Sequence, residues 1–150
     1  MTRAGRFTAL ALVIVASIAT GTEVSAEGNA KAATVHVFVP NARAVRGIIH
    51  VDVCSAADFL KLCPYSAEAK VTPGGTEIVV QNVPLGHYAV QLFHDENGNH
   101  KVDRGLFGIP KEGVGFSNNF RISTRAPRFS DAEFTVGGGG ARMTISLQYF

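Results

Sequence analysis

TEIVVQNVPLGHYAVQLFHD, residues 76–95, is the stretch from which the fold is read. Two runs rich in β-branched and aromatic residues flank VPLG, whose Pro84 and Gly86 mark a tight turn. In the second run the side chains alternate, with Tyr88, Val90 and Leu92 on one side and Ala89, Gln91 and Phe93 on the other. A period of two is the signature of a strand with two different faces. Upstream, GIIHVDVC sets Ile49, Val51 and Val53 against His50 and Asp52. TVHVFV does the same with Val35, Val37 and Val39 before Pro40 and Asn41 end it. A short strand is expected over 67–72, ahead of a PGG turn at 73–75. Downstream, AEFTV and RMTISLQYF are joined by four glycines, 137–140, which predicts a loose hairpin. SAADFLKLC, 55–63, is expected to form a helical turn or two, with Ser55 as its N-cap. Six or seven short strands, one short helical piece and no strand–helix–strand spacing predict an all-β antiparallel sandwich.

The first residues read as an export signal instead of fold. Arg3 and Arg6 precede an apolar run, roughly 7–20, and Val24 and Ala26 occupy the small-residue positions of a cleavage site. Cleavage after Ala26 is expected, giving a periplasmic or secreted chain; an uncleaved anchor is the alternative. Residues 27–33 read as a disordered lead-in and 34–150 as one domain. Removing Arg3, Arg6 and Glu23 takes the formal charge from +2 to +1. That scattered balance offers no footprint for nucleic acid, and no later apolar run is long enough for a transmembrane segment. In an oxidising compartment the pair Cys54 and Cys63 reads as a disulfide, since the spacing and partners of a redox or zinc site are missing. Its short loop contributes about 2–3 kcal/mol by chain entropy.

The turn 76–95 resembles the strand–turn–strand unit of transthyretin-like and carboxypeptidase-regulatory-like (prealbumin-like) sandwich domains. Together, LGHYAVQLFHDENGNHKVD, GIPKEGVGFSNN and PRFSDAEFTV are similar to a bacterial exported family catalogued as a domain of unknown function, number twenty-one forty-one. The likeness covers about residues 34–149. It implies an exported β-sandwich and no particular activity. Where that family has glycine this chain has His100, so the resemblance implies a left-handed backbone there, which histidine adopts at some cost.

HDENGNHKVD, 94–103, is the candidate site. Counting Asp95 as position 1, Asn97 falls at 3, Asn99 at 5, the Lys101 carbonyl at 7 and Asp103 at 9. Alternate oxygen donors on a winding loop suit a hard cation, and calcium is the candidate cofactor. Position 12, a bidentate Glu in an EF-hand, is Leu106, so a weak site of about 10⁻⁴–10⁻³ M is expected. The other reading is a metal-free turn in which Asn and Asp cap their own backbone. The segment 107–120 is long for a loop without regular structure. One reading makes Phe107, Glu112, Phe116, Ser117, Asn118 and Asn119 a recognition surface for a glycan or peptide. The other makes it a flap whose Phe107, Ile109, Phe116 and Phe120 complete the core. Ser117 lacks the context of a hydrolase nucleophile, and zinc-hydrolase, phosphate-loop and dinucleotide motifs are missing. The expectation is therefore a non-enzymatic envelope module binding another envelope protein or a glycan. Its rivals are a hydrolase-type enzyme using His94, Asp95, Asp103 and Glu112, and a ligand carrier with an apolar cavity.

Overall fold

The computed structural model describes residues 31–150. The expected signal segment and residues 27–30 of the lead-in lie outside the described residues.

Strand β1 (Ala32–Val39) is flanked by β4 (Thr76–Pro84), antiparallel, and by β8 (Ala141–Thr144), parallel. In the second sheet β2 (Ile48–Cys54) lies between β3 (Tyr65–Lys70) and β5 (Gly86–Asp95), both antiparallel to it. The far edge of β5 carries two short strands, β6 (Val114–Phe116) beside residues 91–93 and β7 (Glu133–Val136) beside residues 86–89. Val35, Val37, Val39, Ile78 and Val80 of the first sheet meet Ile49, Val51, Val53, Val90 and Leu92 of the second, all buried. These are the faces that the alternation predicts, and the space between the sheets is filled by them. Asn82, at φ 58°, shifts the parity of β4, so that Val83 follows Ile78 and Val80 inward after an odd step.

A second apolar cluster lies on the outer face of the second sheet. Ala89 and Phe93 point there, and Phe59, Val114, Phe116 and Ala132 cover them. The cover comes from two segments. One is the 55–63 loop, closed by the Cys54–Cys63 disulfide, with S–S 2.04 Å and Cα–Cα 5.0 Å. The other is the chain from 102 to 132, including the short helix α1 (Phe129–Ala132).

Several expectations are corrected here. The chain from 132 to 150 is no hairpin: β7 pairs with β5 and β8 with β1, so residues 137–140 carry the chain from one sheet to the other. One strand pair is parallel, which that crossing produces. The strand expected to open at 34 already runs from Ala32. Between the cysteines there are hydrogen-bonded turns, Phe59 N to Ser55 O among them, but no helix. Leu60, at φ 65°, leaves the helical region before a second turn can close, and the Ser55 hydroxyl donates to the Asp58 carboxylate at 2.7 Å.

Candidate functional site

Asp95 ends β5 fully buried, and its carboxylate organises the loop that follows. Oδ1 accepts from Gly98 N (2.7 Å) and Asn99 N (3.2 Å), and Oδ2 from His100 N (2.7 Å). Burial works to raise the Asp95 carboxyl; the N–H groups of His100, Gly98 and Asn99 outweigh it and hold the group below the usual carboxylate range. His100 stands at φ 58°, the left-handed backbone that the resemblance implied. Its ring reaches Glu68 at 3.2 Å, a contact a glycine cannot make.

Each asparagine caps the backbone two residues on: Asn97 Oδ1 accepts from Asn99 N (3.1 Å) and Asn99 Oδ1 from Lys101 N (3.0 Å). Their Nδ2 groups converge on Asp103, at 2.6 Å on Oδ2 and 3.0 Å on Oδ1. Positions 3, 5 and 9 of the loop therefore meet at one point, while position 1 faces the backbone. Among the described residues, no three His, Cys, Asp or Glu side chains are placed to hold a metal ion. The loop closes on itself as it stands: backbone N–H groups occupy Asp95 and the Nδ2 groups occupy Asp103, and a cation would need Asn97 and Asn99 to turn Oδ1 toward Asp103.

Glu112, almost fully buried, closes the loop from below. Oε1 accepts from Glu96 N and Oε2 from Asp103 N, each at 3.0 Å. One carboxylate thus joins both ends of the turn to the chain that returns over the outer face. The segment around it is held by close approach. A Cβ at Gly113 would lie 2.5 Å from the Tyr149 ring, and one at Gly115 would lie 2.9 Å from Ile145 Cγ2.

The recognition residues divide. Ser117 is buried; its hydroxyl accepts from Val90 N at 2.8 Å and donates to the Ala132 carbonyl. Asn118 Nδ2 donates to Glu133 O (3.0 Å). Asn119 bridges the C-terminal segment, donating to Thr144 O and accepting from Ser146 N. Both asparagines have left-handed backbones. Phe116 is in the outer core. Phe107 and Ile109, expected as core anchors, are instead exposed, and Phe107 is almost entirely so. The contact of Gly105 N with Ile109 O leaves only Leu106, Phe107 and Gly108 at the tip, too few to fold back onto the sheet, and fixes Ile109 at its base.

His94, Asp95, Asp103 and Glu112 are all engaged in hydrogen bonds within the fold. Surface hollows of about 620, 490 and 180 Å³ are lined by none of them. The His94 ring is buried between Arg46 O, 2.8 Å from Nε2, and Tyr149 Oη, 3.0 Å from Nδ1. A proton on Nε2 serves that carbonyl, leaving Nδ1 to accept from the tyrosine. Arg43 stacks 4.7 Å from the centre of the Tyr149 ring and donates to Glu96 at 2.6 Å, and Arg46 reaches the other Glu96 oxygen at 2.6 Å. This network ties the 40–47 crossover to the loop and the C-terminus. Its partners lie 48 or more positions apart, beyond any local pattern.

On the outer face His50 sits between Asp52 (2.9 Å) and Glu68 (2.8 Å). The Asp52 hydrogen bond, against burial and with help from Glu68, raises its pKa to about 9. His36 and His87 are likewise paired across strands, with Glu77 and Glu133.

The architecture is that of a β-sandwich with a disulfide-closed outer cover. The family described as "Uncharacterized protein conserved in bacteria (DUF2141)" matches residues 37–144, and the chain belongs to it. No curated relative and no solved structure matches the chain significantly.

Proposed function

We propose that the chain is an exported, non-enzymatic module of the bacterial cell envelope, with a binding or structural role. The observation that carries this reading is where the polar side chains spend their hydrogen bonds. Asp95, Glu112, Ser117, Asn118 and Asn119 each bond to backbone groups. A catalytic carboxylate or hydroxyl needs a reactive atom free to face a substrate. Export is supported by the N-terminal pattern and by the formed disulfide. Sequencing the N-terminus of the protein recovered from the periplasm or medium tests it, with Glu27 as the expected first residue.

Calcium belongs to the same reading as a weak fastener of the 95–103 loop. Support comes from the alternate spacing of Asp95, Asn97, Asn99, Lys101 and Asp103 and from the nearness of Asn97 and Asn99 to Asp103, although it is their Nδ2 groups that now face its carboxylate. Water would complete the six to eight oxygens the ion takes. The enzymatic alternative is tested on ester, phosphoester and glycoside substrates with the purified protein. Turnover abolished by Asp103→Ala, with the fold intact, would contradict the module reading.

A further inference from the structure

The 104–110 tip is built to present apolar side chains outward. Arg104 bridges to Pro110, Gly105 N donates to Ile109 O (2.7 Å), and the Arg104 guanidinium donates to Gly108 O (2.9 Å). On this closed frame Leu106 is 79% exposed and Phe107 93% exposed. Phe107 takes φ 58°, ψ 19°, a left-handed conformation that is unfavourable for a bulky side chain. Strain of this kind persists where the surroundings impose it, and it points to use. Ile109 (49% exposed) and the C-terminal Phe150 (55%) extend the apolar surface, and Phe107, Ile109 and Phe150 line one hollow of about 490 Å³.

Charge says what covers it. Residues 101–128 carry six Lys and Arg against two carboxylates, whereas the other described residues carry six against eight. Both carboxylates are engaged inside the loop: Glu112 on the backbone, Asp103 on the two amides. Arg125 is held by Asp131, but Lys101, Arg104, Lys111 and Arg121 are exposed and form no ion pair among the described residues. Arg104 lines the apolar hollow, the Lys111 side chain lies against Gly105, and Arg121 lines a neighbouring hollow with Phe150. Aromatic and aliphatic side chains at a tip flanked by Arg104 and Lys111, with Arg121 in the next hollow, complement a surface that is apolar beneath and anionic above.

We propose that this tip, with Phe150 and the surrounding cations, seats on the surface of an anionic phospholipid bilayer. The contact proposed is peripheral, made by the tip alone; among the described residues no helix is long and apolar enough to cross a membrane. Leu106 and Phe107 enter the acyl boundary while Arg104 and Lys111 meet lipid phosphates.

The test is co-sedimentation with vesicles of phosphatidylcholine alone or with about one-third phosphatidylglycerol. It uses the chain from residue 27, which keeps every strand among the described residues, both apolar clusters and the disulfide. Retention is expected on the anionic vesicles only and falls as salt screens the cations. Arg104→Gln/Lys111→Gln weakens it about fivefold per cation. Phe107→Asn suits the left-handed backbone, so it leaves the melting temperature unchanged or raised and weakens retention roughly tenfold. Absence of retention on anionic vesicles overturns the proposal, as does retention that Phe107→Asn leaves intact. Self-association or capture of a polypeptide through the tip, without vesicle binding, assigns the surface to another occupant and overturns it equally.

Discussion

Replacing Glu112 by alanine removes the carboxylate that joins both ends of the 95–103 loop. Two N–H groups, of Glu96 and Asp103, lose acceptors at 3.0 Å in a largely buried setting. A hydrogen bond to a charged group contributes about 1.5–3 kcal/mol, and relief from burying the charge offsets part of the loss. The expected destabilisation is about 3–5 kcal/mol, or roughly 10–20 °C in melting temperature for a domain of this size. Glu112→Gln keeps the shape and one acceptor, so about half that loss is expected. Urea unfolding followed by circular dichroism suits a chain without tryptophan. A Glu112→Ala loss below about 1 kcal/mol would refute the reasoning, since such a value belongs to an exposed surface pair.

Gly115→Ala puts a Cβ 2.9 Å from Ile145 Cγ2 and 3.0 Å from Leu92 Cδ1, and overpacking of about 1–3 kcal/mol is expected in the same assay. His50 gives stability a pH dependence of definite sign. Its pKa is raised to about 9 in the fold, so its contribution is complete below the ordinary value of 6.5 and drains away as pH rises through 9. Melting curves between pH 6 and 10 should show that decline in the wild type and a flatter profile in His50→Gln.

The parts of the fold legible in the sequence are those set by local period. Val35, Val37 and Val39, Ile49, Val51 and Val53, and Tyr88, Val90 and Leu92 alternate, and each set faces the core between the sheets. Alternation names a face but not a partner. Nothing in AEFTV or RMTISLQYF says that one joins β5 and the other β1 in parallel. The outer core was legible only in part: Phe116 and Phe120 were readable as anchors, but their packing with Phe59 and Phe129, which come from short segments far apart in sequence, follows no period. Equal residue types also parted company, with Phe116 buried in a strand and Phe107 exposed at a tip. In the candidate site the spacing of Asp95, Asn97, Asn99 and Asp103 was readable because one winding loop brings alternate residues together. The grip of Glu112 and the His94–Tyr149–Arg43 network were not, since long-range approach creates both.

Calcium at the 95–103 loop is the claim most directly open to measurement. The oxidised chain from residue 27 is melted in EDTA and then in about 10 mM calcium, beside Asp103→Asn, which keeps the side-chain shape and removes one of the two charges. With a dissociation constant of about 10⁻⁴–10⁻³ M, calcium stabilises the native state by roughly 1.4–2.7 kcal/mol, a rise of several degrees. The account predicts that rise in the wild type and its loss or sharp reduction in Asp103→Asn. Equal melting temperatures in EDTA and calcium for the wild type would contradict it, and would leave the loop as a turn closed by its own amides.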